Sequence, residues 1–328
     1  MRVAVVGAGI MGCAAAWALT KDGHDVVLYE QFRVGHNRGS SHGRSRIVRL
    51  AYPDVEWVRM AQESMIGWRE LERDSGTNVL ELNGLVELVG DPSQSSADAL
   101  AEADAEFELL DAETARARWP IGVPDGWSVL YQPEAGIVRA DLALRAFLDR
   151  ALARGAELHE DTRIDDISNV DGDAVVVTAG AWVGKLVTDV PVRPTRETLA
   201  YFRRDGALPS IVQLDPETRG HALYSLHDPK YGLKVGLHHA GIDVDPDEAG
   251  GPNEELLQRI SAWVASTYTD VDPTPVDAET CLYTNTEDES FIFDRREGAV
   301  VCSACSGHGF KFALVVGKRV AGLVEAKV

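Results

Sequence analysis

The first thirty residues switch between two hydrophobic patterns. RVAVVG and DVVLYE are short apolar runs, and IMGCAAAWAL between them is an Ala-rich stretch of helical length. Short apolar runs bounded by glycine or charge read as strands buried on both faces, and the stretch between them as the helix that links parallel neighbours. From about residue 54, Val58, Ala61, Met65, Trp68 and Leu71 recur at helical spacing, which predicts a core helix ended by Gly76. Short strands are then expected at 79–89 and Ser128–Gln132, flanking an acidic, Ala-rich region suited to two short surface helices. A helix over 141–154 and strands at Glu157–His159 and 174–178 follow. VVVTAGAW delivers a second glycine turn from a buried strand, so the opening unit resumes there. From about 191 to 280 strands return with one amphipathic helix over 254–268, and the last helix is expected to open near Lys311.

This order predicts an α/β fold: a Rossmann-type domain with an interleaved second domain on a mixed sheet. At 328 residues the chain can bury a large core. Its formal net charge of −20 leaves little basic surface for nucleic acid or an anionic membrane, so neither is expected as a partner. Four cysteines, no leader-like segment ahead of the first strand and no apolar run of membrane-spanning length point to a reducing cytoplasm.

Candidate chemistry is concentrated in a few segments. Gly7, Gly9 and Gly12 stand in G-x-G-x-x-G spacing between a strand and a helix, and Glu30 closes the second strand. The glycines allow a tight turn and close approach of a pyrophosphate; Glu30 can accept hydrogen bonds from ribose hydroxyls and would repel a 2′-phosphate, which argues against NADP. Residues 31–50 form a polar loop rich in Gly, Ser, His and Arg, too long to be a mere connector. CLYTNTEDESFIFD sets Cys281 beside a tyrosine and threonines, and VVCSACSGHGFKF ends in a glycine loop and Lys311, a cation suited to an anion. Cys302 and Cys305 form a C-x-x-C that reads as redox-active, half a metal site or packing; its position at a strand end favours packing. His238 and His239 are adjacent on an expected strand, where neighbours point to opposite faces, so no shared metal is expected.

Five separated segments in order then carry a resemblance: GAGIMG with Glu30, GSSHGRSRIVRLAY, TAGAW, GLKVGLHH, and CLYT followed by SGHGFKF. With them the chain resembles, over nearly its whole length, the monomeric sarcosine oxidase and N-methyltryptophan oxidase group of the D-amino-acid-oxidase-like flavoproteins. The resemblance implies a discontinuous FAD-binding domain (1–76, 136–190, 290–328) and a substrate domain (77–135, 191–289) with a mixed sheet over the flavin. It implies FAD held by Gly7, Gly9, Gly12, Glu30, His42, Ser45, Arg46, Ala179, Gly180, Trp182, Gly307, Gly309 and Lys311, with a thioether from Cys281. Arg49 and Lys311 fall where the substrate carboxylate binds, with Gly307 and Tyr224 around it; Lys234 matches the lysine that promotes oxygen reduction, and His238 and Arg46 lie near the flavin.

Independent chemistry agrees: a guanidinium can hold a carboxylate bidentately, and a buried ammonium stabilises charge developing on oxygen. The expected activity is oxidation of secondary or N-methyl amino acids, sarcosine-like or cyclic, to an imine with reduction of O2 to peroxide, by a monomer. The alternatives are a flavin dehydrogenase or primary-amine oxidase, and a non-catalytic flavin-binding scaffold. The chain departs from the group between Asp161 and Ala174, where a short polar link replaces the usual meander.

Overall fold

The computed structural model describes residues 1–214, 222–296 and 298–326. Its first sheet has six strands in the order Ile292–Arg296, Ala299–Ser303, Ala174–Val177, Arg2–Val6, Asp25–Tyr29 and Glu157–His159. All neighbours pair in parallel except the edge strand Ile292–Arg296. That is the sheet the continuous apolar runs require, since the central strands are buried on both faces. The helix Ile10–Lys21 lies on it with the helices Ala140–Ala153 and Ala313–Glu325. Small residues let these helices approach closely: a Cβ on Gly317 would fall 2.6 Å from the Ala14 carbonyl oxygen.

The second sheet has nine strands and is mixed: Leu85–Val89 runs parallel to Ser210–Leu214, and the remaining pairs are antiparallel. Its longest strand, Arg193–Arg203, lies next to one edge and pairs with Gly232–Leu237 on one side and Asp277–Asn285 on the other. Strand alternation divides these residues between two faces. Ala200, Phe202, Leu233 and Val235 pack on the helix Glu254–Thr267 through Ile260, Trp263 and Val264. The opposite face carries Glu197, Leu199, Tyr201, Lys234, Glu279 and Cys281, which are mutual neighbours in register.

Two local expectations change. The stretch 79–89 is two strands rather than one: Leu80–Glu81 joins Gly136–Arg139 in a small third sheet, and Leu85–Val89 joins the large one. The chain crosses between them at Gly84, whose φ of +87° suits glycine. Lys311 does not open the last helix. It lies in a 3₁₀ turn, Gly309–Phe312, and its carbonyl accepts from the Trp68 indole (2.9 Å) and the Ser64 hydroxyl, so the α-helix starts at Ala313. The helix Val55–Ser75 otherwise forms as read, with Asp54 capping its start and Gly76 left-handed at its end.

Candidate active site

A cleft of about 280 Å³ runs from the first glycine turn to the face of the large sheet. Its wall includes Gly7, Gly9, Glu30, His42, Ser45, Arg46, Arg49, Ala179, Gly180, Trp182, Tyr224, Lys234, His238, Cys281, Gly307, Gly309 and Lys311. Gly12 is the exception. A Cβ there would stand 1.8 Å from the Gly7 carbonyl oxygen and 2.7 Å from Thr178 Oγ1, so it serves close packing of helix on strand instead of ligand approach.

At the dinucleotide end, Gly7 has φ +101°, and a Cβ would meet the Thr178 carbonyl oxygen at 2.7 Å. Glu30 is buried, and its carboxylate already accepts from the backbone of Ala8 (2.9 Å) and Phe32 (3.0 Å), which aims it at the turn and leaves lone pairs for a ribose. The polar loop is held from both sides. Ser41 Oγ accepts from Ile10 N (3.0 Å), Arg44 pairs with buried Asp228 (2.9 Å), and Ser40 donates to the Leu282 carbonyl. Arg46 is clamped by the carbonyls of Ser40, His42 and Ser45 at 2.6–2.9 Å. The Ser45 hydroxyl is fully buried and has no hydrogen-bond partner among the described residues. An unpaired buried hydroxyl in a cleft wall, beside a glycine cradle and an acidic strand end, fits a bound dinucleotide.

On the sheet face, Lys234 is 2% exposed, and its Nζ lies 3.4 Å from Glu279 Oε1. Burial and the Arg46 charge lower its pKa to about 8, partly offset by Glu279. Burial alone would raise the Glu279 pKa, but Lys234 and the Tyr201 hydroxyl outweigh it and hold the carboxylate below its ordinary value. His42, 3.9 Å from Glu279, is kept neutral by burial and Arg46, with its pKa lowered to about 4. Cys281 is a buried thiol whose pKa burial raises to about 12 against the opposing charges of Arg46 and Lys234.

At the far end Lys311 and Arg49 converge on Tyr52. Lys311 Nζ donates to the Tyr52 hydroxyl (2.8 Å) and to the His308 carbonyl (2.9 Å), and the Arg49 guanidinium lies 4.8 Å from the Tyr52 ring centre. Arg49 is backed by Glu87 at 3.8 Å, a carboxylate whose pKa burial raises and which accepts from Ser96. Lys311 has no ion pair among the described residues, and burial and Arg49 push its pKa well below the ordinary lysine value. Gly307 (φ +75°) brings the backbone close: a Cβ there would meet Tyr283 at 2.3 Å and His238 at 2.5 Å. His308 packs among Tyr52, Trp57, Phe291 and Phe312 and shapes the loop.

Sequence reading missed Tyr52, Glu87 and Glu279. Two signals were available: Glu87 is the one charge in the apolar strand LVELV, and Glu279 stands two residues before Cys281, hence on its face. One expectation is reversed. His238 and His239 do not diverge, because His239 is left-handed (φ +56°) and its ring turns to within 3.9 Å of the His238 ring. The C-x-x-C cysteines are both free; Cys302 is core, and Cys305 Sγ accepts from Thr284 N (3.3 Å).

The chain matches the family described as "FAD dependent oxidoreductase" over residues 2–323. It is 32% identical to peroxisomal sarcosine oxidase of Homo sapiens, covering 96% of this chain and 89% of that one. It is 31% identical to monomeric sarcosine oxidase of Bacillus sp., with 98% and 91% covered, and 28% identical to N-methyl-L-tryptophan oxidase of Citrobacter koseri, with 98% and 94% covered. Among solved structures, NikD, an unusual amino acid oxidase essential for nikkomycin biosynthesis, aligns with a TM-score of 0.87 at 23% identity over 99% of this chain and 94% of that chain, a likeness of fold.

Proposed function

The chain belongs to the FAD-dependent oxidoreductase family, and from that premise we propose that it oxidises the C–N bond of secondary or N-methyl amino acids to an imine, with O2 reduced to H2O2. Residues 1–76, 136–190 and 290–328 hold the cofactor, and 77–135 with 191–289 bound the substrate; 215–221, 297 and 327–328 in these ranges lie outside the described residues.

Bound in the cleft, FAD supplies the two-electron oxidant for the carbon beside the amine nitrogen. The first glycine turn, Glu30, Ser45 and the TAGAW turn hold it, and Cys281 provides the thiol for a thioether. The observation that carries the substrate class is the pair of cations at Tyr52. Among the described residues Lys311 is buried without a carboxylate partner and Arg49 beside it pairs with Glu87 alone, so the site has an excess of positive charge that a substrate carboxylate neutralises. Fixing that carboxylate fixes the Cα–N bond relative to the rest of the cleft. Lys234 supplies an ammonium where oxygen gains negative charge, in surroundings that exclude water. A protein that passed electrons to another acceptor would have no use for that buried charge, which favours an oxidase over a dehydrogenase. Retention of both cation sites disfavours a non-catalytic scaffold.

Anaerobic mixing of the purified protein with a panel of N-methyl, cyclic and primary amino acids tests the proposal. Bleaching of the flavin by N-methyl or cyclic members, followed by stoichiometric peroxide on admitting air, is expected. Bleaching by primary amino acids alone, or reoxidation without peroxide, contradicts it.

A further inference from the structure

A cluster of metal-ligating side chains stands at the edge of the cleft, and two of its members, His239 and Glu289, have no part in the reaction above. His238 and His239 directly follow the strand Gly232–Leu237, and Glu289 comes from the turn between Asp277–Asn285 and Ile292–Arg296. One potential ligand atom from each lies within 4.8 Å of the others. His239 Nε2 is 3.3 Å from Glu289 Oε1, yet it is buried and makes no properly directed hydrogen bond. Both His239 (φ +56°) and Glu289 (φ +61°) adopt the left-handed conformation that costs non-glycine residues energy, and in His239 it turns the ring toward His238.

We propose that His238, His239 and Glu289 form a site for a divalent transition metal of the zinc class, and that its occupancy blocks the substrate end of the cleft. Two imidazoles and a carboxylate are a donor set that zinc accepts, with a fourth position left to water. Zinc–ligand distances of about 2.0–2.2 Å bring donor atoms to roughly 3.5 Å from one another, so small side-chain rotations close the site. Glu289 is exposed and free to make that adjustment. The Tyr283 hydroxyl lies 3.3 Å from His238 Nδ1 and can orient that ring from behind. His238 also lines the cleft with Tyr224 and Gly307, so a metal held there fixes the ring and sets a hydrated cation where the substrate passes.

Uptake of zinc by the purified, FAD-loaded protein, followed by isothermal titration with zinc chloride, reads the site without reference to turnover. Only the blocking claim rests on the proposed function. One zinc per chain is expected, and cobalt substitution should give the visible absorption bands of a nitrogen–oxygen site. His239→Asn, which tolerates the left-handed turn, and Glu289→Gln should each weaken uptake on the order of tenfold or more, with flavin content and zinc-free turnover retained. Bound zinc should also weaken the binding of a carboxylate inhibitor, read from the flavin spectrum. Uptake that is absent, or equally tight in both variants and so due to thiols such as Cys281 or Cys305, overturns the site. Unchanged inhibitor affinity with zinc bound overturns the blocking claim.

Discussion

Lys234 and Lys311 are both buried lysines in the wall of one cleft, and burial lowers the pKa of each, yet their surroundings differ in one respect. Lys234 has a carboxylate, Glu279, at 3.4 Å, itself hydrogen-bonded by Tyr201. Among the described residues Lys311 donates to a hydroxyl and a carbonyl and pairs with no carboxylate, and Arg49 adds a like charge. A buried charge without a counter-charge is costly, so a protein keeps one where a ligand completes it. On the proposed function, Lys311 serves the anionic substrate, and Lys234, balanced by Glu279, serves charge that develops only during reaction.

The sharpest way to break this division is Lys234→Met. It should slow reoxidation by oxygen roughly 10²-fold, the scale of removing one electrostatic stabiliser, while anaerobic reduction by substrate suffers far less. Stopped-flow absorbance separates the half-reactions, and equal damage to both would mean lost architecture. Next in size, Arg49→Ala should weaken carboxylate inhibitors by about 2 kcal/mol, close to thirtyfold, with flavin content retained. Spectral titration reads it, and unchanged affinity removes Arg49 from the site.

Glu279→Gln sharpens the comparison by making Lys234 resemble Lys311. Lys234 faces Arg46, Glu279, Tyr201, His42 and Cys281, and of the charged groups among them Glu279 is the one that favours the ammonium at neutral pH. On the proposed function, the oxygen step should be fully supported well below about pH 8 and should fall as pH rises through it, as Lys234 loses its proton. Without Glu279 that fall should move to lower pH and cost about threefold to tenfold at neutral pH. An unmoved profile would show that Glu279 does not hold the charge. Cys281→Ser should have the least effect on either cation site, while releasing the flavin to the supernatant on acid precipitation. Yellow supernatant from fully loaded wild type contradicts the thioether.

Much of this division could be read from residues in one dimension. The alternation that sets Glu279 and Cys281 on one face follows from period two, and the first glycine turn from its spacing between strand and helix. What was not legible depends on contacts between distant segments. Glu279 reaches Lys234 across the strand Arg193–Arg203, and Glu87 reaches Arg49 from the strand Leu85–Val89, pairings that no local pattern encodes. Gly12 was misread because motif spacing does not distinguish a glycine that faces a ligand from one pressed on a neighbouring carbonyl. The convergence of His238 and His239 depends on a single backbone torsion, which an alternating strand pattern cannot anticipate.

On the proposed function, the two lysines divide the work, one for the substrate carboxylate and one for oxygen. Titrating a simple carboxylate such as acetate against the flavin spectrum of wild type, Lys311→Met and Lys234→Met tests it in a single experiment. An affinity loss of about thirtyfold is expected in Lys311→Met and of less than about threefold in Lys234→Met. Equal losses, or a larger loss in Lys234→Met, would contradict it.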